Sequence, residues 1–280
     1  MTARRVAALL NPSSVAIVGA SDEPGTYGEL ARRNLREGGF TGRVHLVNPR
    51  HESIDGEPCL PSVRDLPGPV DLALLVCPAA VVPDVLAQCG EKGVKSAVVV
   101  SAGFREGGEV GAQLEAEMLA AARRYGVRFL GPNSMGVIRT DTRLNAACGL
   151  PLPKPGRLAL VSQSGALCNA MLDWAAARRV GFSTVIATGV GSDVDYGEIL
   201  DFLTRDGATD SIMLYMENVA HARRYMSALR AAARVKPVVV MKAGHAEDPL
   251  ASLAFHTGQL VGGDDVFDAA MRRAGVLRIR

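Results

Sequence analysis

His256 lies in "ASLAFHTGQLVGGDD" (251–265), between an apolar stretch and the permissive glycines Gly258, Gly262 and Gly263. A neutral imidazole nitrogen is a nucleophile, and a carboxylate bonded to the other nitrogen fixes its tautomer. If that imidazole takes a phosphoryl group, the new oxygens need donors from helix ends and glycine-rich loops. The same residues also suit a turn beside a core histidine. Glu217 closes the apolar run "LYMEN" and reads either as an orienting carboxylate or as the cap of the next helix. In "LALVSQSGALCNAMLDW" (158–174), Ser162, Ser164 and Gly165 stand at a sharp turn from strand to helix. Hydroxyls and an amide at a helix N-terminus form an anion cradle, while a plain serine N-cap uses the same residues. A nucleophile elbow requires G-x-S-x-G, and Ser162 occupies its first position, so that pattern fails. "ATGVGSDVDYGE" adds Gly191 and two acids, Asp193 and Asp195, which read as helix N-caps. His45, His51, His221 and His245 have no comparable setting.

A second group of candidates follows the first apolar run. "GASDEPGTYGEL" places glycines at 19, 25 and 28, which does not match G-x-G-x-x-G. Small residues there allow close phosphate approach under a helix N-terminus, and they equally allow a tight strand-to-helix turn. Dinucleotide folds usually carry an acid at the end of the second strand. This chain has "VNPRH", with Asn48 and Arg50, and a basic side chain favours a ligand with additional phosphate, such as NADP or coenzyme A. The loops "CPAAVV", "SAGF" and "GPNS" supply Pro78, Ser101 and Asn133 to the same groove.

Such residues need a scaffold that gathers strand ends. Short runs such as "SVAIVGA", "RVHLVN", "DLALLVC", "SAVVVSAGF" and "VRFLG" alternate with helical stretches. That alternation predicts a doubly wound, parallel α/β sheet whose ligands bind beyond the carboxyl ends of the strands. Three prolines in "LPLPKPG" (150–156) interrupt it, and the pattern restarts at "RLALVS". Two domains are therefore expected, 1–150 and 151–280, each an open α/β sheet. Thirty-one basic against 29 acidic residues leave a net charge of +2, without the basic stripe of a nucleic-acid or membrane-surface protein. The arginine doublets at 32–33, 123–124, 178–179, 223–224 and 272–273 read as solvated helix faces. Five cysteines without C-x-x-C spacing give neither a zinc site nor a disulfide framework, which fits a reducing cytoplasm. No metal ligand set is assigned, and no run approaches a membrane span.

Taken in order, "NPSSVAIVGAS", "VNPR", "SAGF", "GPNSMG", "LVSQSGAL" and "FHTGQLVGGDDVFDAAMRRAGVLR" resemble the NDP-forming acyl-CoA synthetases, the superfamily of ADP-forming acetyl-CoA synthetase and the succinyl-CoA synthetase α-subunit. The resemblance implies an N-terminal Rossmann-like CoA-binding domain followed by a flavodoxin-like CoA-ligase domain. It assigns CoA, rather than NADP, to Gly19, Ser21, Asn48, Arg50, Pro78, Ser101 and Asn133. Arg50 stands where the family commonly has lysine, which keeps the charge and changes the hydrogen-bond geometry. It also makes His256 the phosphorylated nucleophile, Glu217 its support, and Ser162, Ser164, Gly165, Gly191 and Gly258 the phosphate cradle.

The implied reaction joins a carboxylic acid to CoA with ATP, giving acyl-CoA, ADP and phosphate. ATP/ADP and Mg²⁺ would bind an ATP-grasp module, and nothing in this sequence resembles one, nor is there a P-loop. A partner subunit or a longer polypeptide is therefore expected, in an assembly that is commonly oligomeric. Two alternatives stand beside this reading. One is a CoA-sensing regulatory module of the kind fused to acetyltransferases, whose members tend to lose the histidine. The other is an NADP-linked oxidoreductase, which accounts for Arg50 and leaves the second domain unexplained.

Overall fold

The computed structural model describes residues 2–243 and 264–279. After helix α1 (Thr2–Leu10), the chain runs β1 (Ser14–Val18), α2 (Tyr27–Gly38), β2 (Arg43–Val47) and the hairpin β3 (Ser53–Ile54) and β4 (Glu57–Leu60). It continues through β5 (Leu72–Leu75), α3 (Val82–Glu91), β6 (Ser96–Val99), α4 (Gly108–Tyr125) and β7 (Arg128–Leu130). These strands form one sheet in the order β3-β4-β2-β1-β5-β6-β7, parallel except for the β3–β4 hairpin. Val15, Ala16 and Ile17 of β1 and all four residues of β5 are buried, as expected of a sheet covered on both faces. The chain leaves β1 toward β2 on one side and returns to β5 on the other, so the crossover point lies between β1 and β5.

The second sheet has the order β14-β13-β12-β10-β11-β8-β9. Its parallel part comprises β10 (Pro155–Ser162), β11 (Phe182–Ala187), β12 (Ser211–Met216), β13 (Val238–Lys242) and β14 (Leu277–Ile279). Helices α5 (Gly165–Arg178), α6 (Tyr196–Arg205), α7 (Ala222–Ala233) and α8 (Asp264–Ala274) alternate with these strands. β8 (Gly136–Arg139) and β9 (Leu144–Ala147) join antiparallel beyond β11.

The change of sheet thus falls between Leu130 and Gly136 and does not coincide with the boundary expected at 150–151. The two extra strands are only four residues long, and polar residues interrupt their apolar pattern. Arg139 is buried because it pairs with Asp141 and Asp206, and Asn145 because its amide donates to the Leu150 carbonyl. No periodicity in the sequence reveals such compensation.

The halves share one core. A continuous apolar cluster runs from Val6, Leu9 and Leu10 of α1 through Ile17 and Leu74 to Val137, Ile186 and Ile199. Each fully buried side chain of this kind contributes about 1.5–3 kcal/mol. Asn34 on α2 reinforces the join by donating to the carbonyls of Ala147 and Leu150. Arg32 corrects the expectation of solvated arginine doublets: it is buried and paired with Asp55. Arg33, by contrast, is half-exposed and pairs with the buried Glu29. Among the described residues, no helix is long and apolar enough to cross a membrane.

Candidate active site

The strands β2, β1, β5, β6 and β7 are parallel, so their carboxyl ends form one edge, and the first group of candidates lies along it. Gly19 follows β1 with φ +96° and donates its N–H to Val47 at 2.8 Å. A methyl group on Gly19 would crowd the backbone of Val76 and Cys77, and one on Gly28 would overlap the Gly19 carbonyl. The loop is therefore a tight turn held between β1 and β5. Ser21 accepts from the Glu23 N–H at 3.0 Å. Asn48 donates to the Ala20 carbonyl at 2.8 Å and accepts from the Arg50 N–H at 3.0 Å, tying the ends of β1 and β2 together. The Arg50 side chain is exposed. Pro78 opens the turn after β5, and the Ser101 hydroxyl donates to the Cys77 carbonyl. Asn133, at φ 56°, donates its N–H to the Ser101 carbonyl at 3.0 Å.

The N-terminus of α2 is not an open anion cradle. Thr26 accepts from the Glu29 N–H, and the Glu29 carboxylate lies within the first helical turn, accepting from Gly25 at 3.4 Å. This T-x-x-E cap satisfies the helix end with its own negative charge. The strand ends and Arg50 are left as the groups available to a phosphate-bearing ligand.

On the second sheet the arrangement differs. Ser164 is the N-cap of α5, accepting from the Leu167 N–H at 3.2 Å, and no acid occupies the first turn. Ser162 is buried at the end of β10. Its hydroxyl donates to the Ser164 carbonyl at 2.8 Å and accepts from the Ser164 N–H at 3.0 Å. Gly165 packs so tightly on Met135 that a methyl there would overlap it. An acid-free helix start favours an anion where α2 does not.

Gln163 stands between these serines and organises the site, although no motif in the sequence marks it. Its Oε1 accepts from the backbone N–H groups of Glu217 at 2.5 Å and Asn218 at 3.1 Å, and its own N–H donates to the Tyr215 carbonyl at 3.2 Å. The β10–α5 turn is thereby clamped to the end of β12. One carboxylate oxygen of Glu217, Oε2, is buried and has no partner among the described residues. Burial, first of all, pushes the hydroxyls of Tyr196 and Tyr215 above the usual phenol range, and the Glu217 carboxylate adds to both shifts. Gln163, Thr188, Gly191, Asn218 and His221 line one groove beside this cluster.

The two edges meet. Beyond β11, Val190 donates to the Pro132 carbonyl at 3.0 Å, Ser192 to Gly131 at 3.0 Å and Val194 to Phe129 at 3.1 Å. The loop bearing Gly191 (φ +69°) therefore lies along the end of β7, next to Asn133. Asp195 caps α6, as expected from the sequence. Asp193 does not act as a cap: it pairs with Arg128 and accepts from the Phe129 N–H at 2.9 Å. Burial opposes the Arg128 charge, yet its bonds to Glu198 and Asp193 raise its pKa above the usual guanidinium range. The sequence offered no signal for Arg128, because its partners are 65 and 70 residues away.

The structure thus brings together Ser162, Ser164, Gly165, Gly191 and Glu217, and separately aligns Gly19, Ser21, Asn48, Arg50, Pro78, Ser101 and Asn133. His256 and Gly258 lie outside the described residues. All five cysteines are unpaired. Burial pushes the Cys77 thiol, beside the Gly19 turn, up to about 11.

Comparison with known proteins accords with this layout. Residues 13–140 match the family model of a CoA binding domain, and residues 155–280 match that of a succinyl-CoA ligase like flavodoxin domain. An ADP-forming acetate–CoA ligase I of Archaeoglobus fulgidus is 44% identical over 96% of this chain and 39% of its own length. The α-subunit of the ADP-forming acetate–CoA ligase I of Pyrococcus furiosus is 42% identical over 97% of this chain and 60% of its own. A dinucleotide-forming acetyl-coenzyme A synthetase 1 of Ca. Korarchaeum cryptofilum, solved with phosphate and ADP, superposes with a TM-score of 0.93 at 36% identity, over 98% of this chain and 59% of that one. The chain thus spans about two-fifths to three-fifths of the length of these relatives, which carry further chain of their own. It belongs to the NDP-forming acyl-CoA synthetase family, with a CoA-binding half and a flavodoxin-like ligase half.

Proposed function

We propose that this chain is the CoA-binding and phosphohistidine-carrying part of an ADP-forming acyl-CoA synthetase. In the synthetic direction, the His256 imidazole takes the γ-phosphoryl group of ATP and ADP leaves. A carboxylate oxygen of the acid then takes the phosphoryl group from the imidazole, giving an acyl phosphate. The CoA thiol gives up its proton and displaces phosphate, and the thioester forms. The observation that carries this reading is the buried oxygen of Glu217 that has no partner among the described residues, beside the acid-free start of α5. A carboxylate in that state is placed to accept an imidazole N–H and hold the other nitrogen free for attack. Ser162, Ser164, Gly165, Gly191 and Gly258 would hold the phosphoryl oxygens.

Coenzyme A fits the edge from Gly19 to Asn133, where exposed Arg50 offers a cation and the positive-φ turn at Gly19 brings backbone close to the ligand. ATP and Mg²⁺ belong to an ATP-grasp module on a partner or on further chain, as the greater length of the relatives suggests. Working with such a module and with five unpaired thiols, the protein acts in the cytoplasm and as part of an oligomer.

The test supplies the ATP-grasp partner and γ-labelled ATP. An acid-labile label is expected on the wild-type chain and none on His256→Asn; a label that persists in His256→Asn overturns the assignment. Calorimetry on the chain alone should show CoA binding. Tight NADPH binding without CoA binding would instead support an oxidoreductase.

A further inference from the structure

The loop between β11 and α6 is tied at several points to the first half of the chain. Arg128 opens β7, and its Nε donates to both Asp193 carboxylate oxygens, at 3.0 and 2.8 Å. Its Nη1 and Nη2 donate to the two oxygens of Glu198, at 2.9 and 2.7 Å, and Nη2 also reaches the Asp193 carbonyl at 3.4 Å. One guanidinium thus engages a carboxylate of the loop, Asp193, and one in the first turn of α6, Glu198, which is only 2% exposed. A second anchor comes from α4, where buried Glu115 accepts from the Ser192 hydroxyl at 2.8 Å. Backbone bonds fix Val190, Ser192 and Val194 to the end of β7. Gly189 and Gly191, at φ +60° and +69°, are the pliant points among these fixed ones.

We propose that Arg128 is a positioning residue that locks the Gly189–Asp193 loop against the strand end bearing Asn133, so that the phosphate and CoA sites keep one spacing; this rests on the function proposed above. The fork of the guanidinium is what the role requires. A lysine ammonium carries the charge without the planar set of donors that reaches both carboxylates at once. Loosening the loop leaves Gly19, Ser21, Asn48 and Ser101 in place, because they are held by bonds to Val47, Glu23, Ala20 and Cys77 rather than by Arg128. It moves Gly191 relative to the α5 start, and a displacement of about 1 Å is enough to cost a positioned reaction about a hundredfold.

The test compares wild type, Arg128→Met and Arg128→Lys, assembled with the ATP-grasp partner and assayed from acyl-CoA, phosphate and ADP. The KM for phosphate is expected to rise at least tenfold in both variants, with the KM for acyl-CoA within twofold of wild type. Amide exchange at Ser192 and Val194, read on this chain without substrate, is expected to accelerate at least tenfold. Amides of β10 should be unchanged. Equal rises in both KM values mark a merely structural role and overturn the proposal, as does unaltered exchange at Ser192 and Val194. Should Arg128→Met fail to fold, Asp193→Asn keeps the Arg128–Glu198 pair and takes its place with the same expectations. A wild-type assembly without phosphate-dependent turnover refutes the proposed function, and the exchange measurement still decides the anchoring.

Discussion

The side-chain oxygen of Gln163 accepts the backbone N–H of Glu217 at 2.5 Å, so the residue after β10 fixes where β12 ends. The same oxygen takes the Asn218 N–H at 3.1 Å, and Gln163 is almost wholly buried. Gln163→Leu keeps the volume and leaves two amides without an acceptor. An unsatisfied buried N–H costs about 1–3 kcal/mol. Urea denaturation should show a loss in that range or above, and a loss below about 0.5 kcal/mol would mean that water replaces the glutamine. Since the turn and Glu217 part company, phosphorylation of the chain should slow as well.

The Gly19–Gly28 contact makes a separate prediction for the first edge. A methyl on Gly28 has nowhere to go, because the Gly19 carbonyl fills the space. Overpacking of this kind typically costs about 1–3 kcal/mol. Gly28→Ala is therefore expected to lower stability by that amount and to weaken CoA binding at least tenfold by calorimetry. Gly68→Ala is the control: its surroundings are open and its φ is ordinary, so its effect should stay within about 0.5 kcal/mol. Equal effects from the two substitutions would remove the close approach at Gly19 as an explanation.

What the sequence reveals follows from where each interaction lies along the chain. Strand ends such as Gly19, Asn48, Ser101 and Ser162 are legible because each directly follows an apolar run of its own. The N-caps Ser164 and Asp195 are legible for the same reason, since a cap acts three residues away. Arg128, Glu115 and Gln163 are not, because their partners come from the other half of the chain or from another loop. β8 and β9 escape as well: the buried charge of Arg139 breaks the pattern, and Asp206 lies 67 residues downstream. Asp193 shows the limit most clearly. Two residues from a true cap, it has the same side chain and a different task.

The Arg139–Asp206 pair gives stability a defined pH dependence. Burial by itself would raise the Asp206 pKa, yet bonds from Arg139 and Thr209 bring it below the ordinary value of 3.8. A carboxyl lowered in the folded state stabilises fully above the unfolded pKa, and that contribution disappears as the pH falls through the folded value. Asp206→Asn leaves buried Arg139 with only the half-exposed Asp141. Breaking a buried pair from one side costs about 3–5 kcal/mol. Denaturation of wild type and Asp206→Asn should differ by that much at pH 7, and the gap should narrow below about pH 3.8. A gap that stays constant from pH 7 to pH 3 would show that the charge of Asp206 is not what stabilises.

Ser164 can separate helix capping from anion binding at α5. As N-cap it accepts from the Leu167 N–H at 3.2 Å, so Ser164→Ala should cost about 1 kcal/mol. Ser164→Asp retains an acceptor for that amide and sets a fixed negative charge at a helix start that has none. Stability should then match or exceed wild type, because an acid near a helix N-terminus adds about 0.3–1 kcal/mol. The phosphate-dependent reaction should nevertheless fall at least tenfold, since the new carboxylate occupies and repels the anion's place. If the serine only caps the helix, the ranking reverses: Ser164→Asp stays active and Ser164→Ala is the poorer enzyme in proportion to its lost stability. Thermal melts and phosphate-dependent turnover measured on the same two variants decide between these orders.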